Sequence, residues 1–274
     1  MDIGTIAGLG LAVCAIVGST LMDGGSINAL FSPSALVLVI GGTVGVTIIS
    51  NGLQPVLGLP KLLAQTLRSR AYDPQATIDR LVQLAQKARR EGLLSLESEI
   101  ADIDDQFLAR GLQMVVDGSD IEAVRSVLET DIAFMERRHS AGFTIFETAG
   151  GYAPTMGIIG TVMGLIHVLT SLADPGRLGA AIASAFLATF YGISTANVFW
   201  LPIASQLKAK TQRETDERAL CLEGILSIQS GDNPSTVRDK LAVFLPPSVV
   251  AKGGAGGGEG GPGEAAAQAG GSGG

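Results

Sequence analysis

Few side chains in this chain could carry chemistry, and two threonines stand out among them. Thr161 lies in the segment GGYAPTMGIIGTVMGLI, residues 150–166, and Thr189 lies in FLATFYG, residues 186–192. Neither segment contains Asp, Glu, Lys or Arg. Hydroxyl oxygens on neighbouring apolar helices can offer oxygen ligands to a cation and so line its path. The plainer role for Thr161 is a hydrogen bond to its own helix backbone, and the residues alone leave both open. What the path lacks is an acid. Glu147 and Asp23 stand at the margins of the apolar stretches, and no carboxylate lies deep in any of them. A proton- or sodium-driven machine usually needs an intramembrane acid to take up and release the ion. If this chain conducts ions, a partner helix must supply the carboxylate.

Two prolines interrupt the same apolar stretches. Pro154 removes a backbone donor inside an otherwise helical pattern, and Pro202, in VFWLPIA, does so near the inner end of the last stretch. Each is either a tolerated kink or a hinge. Gly157, Gly160 and Gly164 include a GxxxG pair, which lets helix backbones approach closely in lipid. Away from the apolar stretches, Arg89-Arg90 precede Glu97 and Glu99, a pattern that a solvated helical hairpin also produces. With His139 and His167 the only histidines, there is no cluster of metal-ligand spacing and no cofactor is expected. No Ser/His/Asp arrangement, phosphate loop or pair of catalytic acids occurs, so no enzyme is expected. The net charge of −7 argues against nucleic acid as a partner. Cys14 and Cys221 fall in an apolar and a polar segment, and a disulfide is not expected.

The elements that position these residues follow from the charge pattern. Residues 3–22, 33–60, 148–173 and 178–207 carry no charged side chain, and 18 of the 19 Lys and Arg lie in residues 61–138 and 208–252. A bilayer core takes about 20 apolar residues per helix, and cations concentrate on the cytoplasmic side. The fold class is therefore all-α: a four-span transmembrane protein with a helical cytoplasmic domain between spans 2 and 3. The expected organisation is spans 1 and 2 in residues 1–60, the cytoplasmic domain in 61–147 and spans 3 and 4 in 148–207. A cytoplasmic helical segment follows in 208–252, then a disordered Gly-rich tail in 253–274. Both termini are expected in the cytoplasm. The first apolar run has no Lys or Arg before it, so it reads as a span rather than a signal peptide. Asp73 and Pro74 predict a helix start, and Gly92 predicts its stop. A second short helix is expected around residues 95–99 and a third through Phe107–Val116. Ser119 and Glu122 have capping-box spacing ahead of one long helix that runs into span 3.

In combination these segments resemble one family, MotA/PomA, the larger stator subunit of the bacterial flagellar motor in the MotA/TolQ/ExbB superfamily. The likeness covers residues 1–247. It rests on DIAFMERRHSAGFTIFETAGGYAPTMGIIGTVMGLIHVL and LATFYGISTANVFWLPIASQL in the spans, and on ARREGLLSLESEI and ILSIQSGDNPSTVRDKLAVFL outside them. The resemblance implies a homopentamer in the bacterial inner membrane around a dimer of a single-span partner, MotB or PomB, which carries the ion-binding Asp. It implies that ion flow turns the pentamer and that the cytoplasmic loops push the rotor protein FliG. By the same resemblance Thr161 and Thr189 belong to the ion path, Pro154 and Pro202 to conformational coupling, and Arg89, Arg90 and Glu97 to the rotor contact. The segments look closer to the sodium-using PomA branch than to proton-using MotA. Two departures bear on this: Ser98 replaces an acidic position, and Gly151 stands where the sodium-type pattern has an Asp. The other readings are a TolQ/ExbB-like energiser, which typically has three spans, and a non-conducting membrane scaffold.

Overall fold

The computed structural model describes residues 3–67, 73–170 and 175–245. Every regular element among them is helical. That is what charge-free stretches of this length demand, because a backbone in lipid must satisfy its polar groups within its own helix. Four regions are long and apolar enough to cross a membrane: Gly4–Met22, Ile27–Asn51, Ile121–Thr170 and Leu178–Gln229. The expected tail from Gly253, and Asp174 of the short turn between the last two apolar stretches, lie outside the described residues.

The chain divides into two compact units, one formed by Met1–Tyr72 with Glu129–Asp216 and the other by Asp73–Leu128 with Glu217–Gly274. In the first unit, the helix Ile3–Met22 is mostly exposed. Its small residues suggest close bundle packing, yet Gly8, Gly10 and Gly18 have no atom within 4 Å of where a Cβ would stand. At those points no atom of the described residues packs against the glycines. The second span begins with Pro33 in its first turn, passes through a π-turn at Val37–Gly41 and continues as Gly42–Asn51. The third belongs to one helix of 50 residues, Ile121–Thr170, which continues through Pro154. Its start departs from the capping-box spacing: the Glu122 amide donates to the Asp120 carboxylate at 3.0 Å, because Asp120, not Ser119, directly precedes the first helical residue. The fourth runs as Pro175–Thr195, a π-turn at Ala196–Trp200, and Leu201–Gln229.

The second unit is built on Pro74–Glu91, whose apolar stripe of Ile78, Leu81, Val82, Leu84, Ala85 and Ala88 is buried. The Asp73 side chain accepts from the Gln75 and Ala76 amides at 3.0 and 3.3 Å, satisfying orphan donors of the first turn. Gly92, at φ 86°, closes the last turn with its amide on the Ala88 carbonyl. A 3₁₀ turn, Leu93–Leu96, then precedes the short helix Glu97–Ile100, and Gln106–Val116 follows, capped by Asp105. The helix Pro234–Ala242 buries Val237 and Leu241.

Cys221 sits inside this second unit. Burial pushes its thiol from the ordinary 9.0 up to about 12, and the negative charges of Asp105 and Glu217 add to the effect. A thiol held neutral in the folded state stabilises that state below the unfolded value. Above it the unfolded chain releases the proton more readily, so stability falls as pH rises from about 9 towards 12. Two results are expected in the folded protein. Cys221 resists a thiol-alkylating reagent at pH 8 until denaturant is added, and the second unit's melting temperature drops across the alkaline range. Replacement by Ala should flatten that drop, read by thermal melts at pH 8, 9, 10 and 11.

Candidate functional site

Spans 3 and 4 approach closely because one presents glycine where the other presents backbone. A Cβ on Gly157 would lie 2.8 Å from the Ala188 carbonyl oxygen and 3.0 Å from the Thr189 Cα. One on Gly160 would meet the Ala188 methyl at 2.5 Å, one on Gly164 the Ala185 methyl at 2.5 Å, and one on Gly192 the Ala153 carbonyl oxygen at 2.5 Å. The small-residue face read from the sequence is thus the contact itself, with Ala185, Ala188 and Gly192 as its counterpart. This approach brings the two threonines together.

The Thr161 and Thr189 hydroxyls are hydrogen-bonded to each other. Thr161 Oγ1 also lies 3.2 Å from the Gly157 carbonyl and 3.1 Å from the Ala185 carbonyl, and Thr189 Oγ1 lies 3.4 Å from the same Gly157 carbonyl. Each hydroxyl has one proton to donate and two lone pairs. Thr161 thus reaches its own helix backbone and also faces Thr189 across the interface. Two hydroxyl oxygens and two carbonyl oxygens converge within a partly buried, otherwise apolar region. That is a set of hard oxygen donors of the kind a dehydrating alkali cation needs, with no negative charge among them.

The prolines sit on the same two helices. Pro154 is seven residues before Thr161, about 10 Å along the axis, and leaves the Gly150 carbonyl without its usual donor. Pro202 stands two residues past the end of the π-turn Ala196–Trp200. A π-turn widens the helix and relieves the clash between a proline ring and the carbonyl four residues earlier. Pro202 also lines an apolar cavity of about 650 Å³ with Thr5, Leu9, Leu63, Asn197 and Ile203. Trp200 packs its ring against Phe199 and Phe146, at centroid distances of 4.9 and 6.1 Å. Arg89, Arg90 and Glu97 belong to the other compact unit. They are exposed and make no side-chain hydrogen bond or ion pair among the described residues. Glu99 is different: it accepts from Arg80 at 2.8 Å and Lys87 at 2.9 Å. The Lys87 hydrogen bond and charge, reinforced by Arg80, hold its carboxyl below the usual carboxylate range.

Sequence reasoning missed two polar assemblies in the spans. Tyr191 donates its hydroxyl to the Leu30 carbonyl and accepts from the Ser32 amide at 2.9 Å, while the Ser32 hydroxyl meets that of Ser184 at 2.8 Å. These bonds tie the start of span 2 to span 4. A tyrosine inside a charge-free stretch was the available signal, since a buried phenol needs a partner. In span 2, Thr47 donates to the Thr43 carbonyl at 2.7 Å and Asn51 to the Thr47 carbonyl at 3.1 Å. Their four-residue spacing was legible as a polar stripe.

The comparisons agree with this architecture. Residues 99–219 match the MotA/TolQ/ExbB proton channel family, and residues 6–92 match the motility protein A N-terminal family. Motility protein A of Bacillus subtilis is 39% identical over 250 residues, spanning 90% of this chain and 92% of that protein. Chemotaxis protein PomA of Vibrio alginolyticus is 34% identical over 245 residues, 89% of this chain and 96% of that one. The structure of the flagellar MotAB stator complex from Bacillus subtilis superposes with a TM-score of 0.85 at 38% identity, covering 90% of this chain and 97% of that one. That family consists of channel-type membrane subunits rather than enzymes. With likeness along nearly the whole chain and four helices fit to span a membrane, this multi-pass protein belongs to the MotA/TolQ/ExbB family, on its motility protein A branch.

Proposed function

We propose that this chain is the larger subunit of a flagellar motor stator in the bacterial inner membrane, with both termini in the cytoplasm. In this reading it forms a pentamer around a MotB/PomB-type single-span partner, whose Asp is the ion-binding acid. Thr161 and Thr189 line the path beside that acid. Pro154 and Pro202 couple ion passage to helix movement, and Arg89, Arg90 and Glu97 address the rotor protein FliG. The observation that carries the reading is the cluster of four uncharged oxygens between two glycine-packed spans that contain no carboxylate. Such a site can solvate a passing cation and cannot trap it, so the charge that captures the ion has to come from outside the chain. The motility protein A relatives and the MotAB stator structure support the same assignment.

The transported ion in this proposal is sodium rather than the proton. Sodium must exchange hydration oxygens for protein oxygens, and the paired threonines with the Gly157 and Ala185 carbonyls provide them. Motility should therefore fall to a few per cent when external sodium is replaced by potassium at fixed pH. Undiminished swimming without sodium, abolished instead by a protonophore, would make the path a proton path.

A further inference from the structure

Leu94 is the one large apolar side chain that the described residues 73–128 leave exposed, at 73%. Its neighbours in sequence do the opposite: Leu96 is fully buried and Leu93 half-buried. Within five residues on either side stand Arg89, Arg90 and Glu97, all exposed and all without a polar partner among the described residues. The segment that carries Leu94 is held from within. Gly92 turns the chain at φ 86°, and the Ser95 hydroxyl donates to the Gly92 carbonyl at 2.6 Å. The Ser98 hydroxyl donates to the Ser95 carbonyl at 3.1 Å. Lys87 reaches both Ser98, at 3.1 Å, and Glu99, at 2.9 Å, while Arg80 takes the second Glu99 oxygen at 2.8 Å. Glu99 is thereby consumed in fixing the turn, which leaves the exposed Glu91 and Glu97 as the acids beside Leu94 that face outward.

A stiff turn that exposes one leucine between charges of both signs has the anatomy of a protein contact: an apolar centre that loses its water, with a polar rim around it. Stiffness lowers the ordering cost of docking. Resting on the stator reading, we propose that Leu94 is the apolar anchor of the rotor contact and inserts into a recess on the rotor surface. Acidic groups around that recess face Arg89 and Arg90, and a basic group faces Glu97. The charges steer and orient the encounter, and Leu94 sets how long the subunit stays engaged. Lys87, Glu99 and Arg80 are positioning residues, acting through the turn.

The test uses the full chain, fluorescently tagged and produced with its single-span partner in flagellated cells that lack their own stator. Leu94→Asp should shorten the dwell time at the motor by about tenfold, the scale of an interface anchor, while Leu94→Met stays within about twofold. Leu94→Ala should fall between them and serves if the aspartate variant accumulates poorly. Ion flux and oligomer size should not change in any of the three. Arg89→Glu/Arg90→Glu runs in parallel. If that charge variant loses dwell time and Leu94→Asp does not, the anchor is overturned and the stator reading stands. If neither changes, the rotor-facing reading of this segment is overturned with it. A Leu94→Asp subunit of altered oligomer size would place the leucine in a subunit–subunit contact and overturn the anchor.

Discussion

Gly157→Ala will reduce ion-driven motility to less than a tenth, and Gly157→Leu will abolish it. The reason is what a side chain would meet. The alanine methyl would stand 2.8 Å from the Ala188 carbonyl oxygen and 3.0 Å from the Thr189 Cα. Both are backbone atoms of span 4, so no rotamer change can make room and the helices must separate. Overpacking of this kind costs about 1–3 kcal/mol, but the functional loss should exceed the stability loss. Separation pulls the Thr189 hydroxyl away from the Gly157 carbonyl it now approaches at 3.4 Å. Gly192→Ala should act alike, since its methyl would meet the Ala153 carbonyl oxygen at 2.5 Å. The measurements are swimming speed and the amount of membrane-inserted subunit. Full insertion with lost motility is the predicted result.

Pro202→Ala carries the second large effect. With alanine the π-turn at Ala196–Trp200 loses the ring that stabilises it and can close to a regular α-turn. Removing one inserted residue rotates everything beyond it by about 100°. The cavity that Pro202, Phe199 and Ile203 line with Thr5 and Leu9 would change shape, and the helix Leu201–Gln229 would present different faces. Torque should fall at least tenfold while the subunit remains helical and assembled. Pro154→Ala restores a donor to Gly150 without a π-turn to collapse, so its loss should be smaller but still strong. Torque in tethered cells, with circular dichroism and oligomer size of the purified complex, checks both. Unchanged torque in the two variants would leave the prolines as tolerated irregularities.

Much of this architecture was legible because burial in lipid and helix capping leave blunt marks. Four charge-free stretches mark the spans, Asp73-Pro74 and Gly92 bracket one helix of the second unit to the residue, and Gly157, Gly160 and Gly164 mark the face that meets span 4. The π-turns were not legible. They depend on how span 2 and span 4 settle against neighbours, and Val37–Gly41 has no proline after it to announce one. The packing of span 1 was also unreadable, since glycine is as common on a surface left for lipid or another subunit as on a contact within the chain. The threonine pair was half legible. Each residue type was visible, but the four-oxygen cluster depends on the helix register, which the glycine contacts set. The separate fates of Glu97 and Glu99 follow from which way a 3₁₀ turn aims each carboxylate, and charge spacing does not specify that.

The central claim is that the paired threonines line the ion path. The most direct measurement is sodium uptake by vesicles reconstituted with this chain and its single-span partner, comparing the native pair with Thr161→Val/Thr189→Val. Valine keeps the shape and removes only the hydroxyls, so assembly should be preserved. The account predicts that sodium flux drops about tenfold or more, on the order of 1.4 kcal/mol in the barrier, and that vesicles with this chain alone show no flux. Native sodium flux through the double variant, at equal assembly, would contradict it.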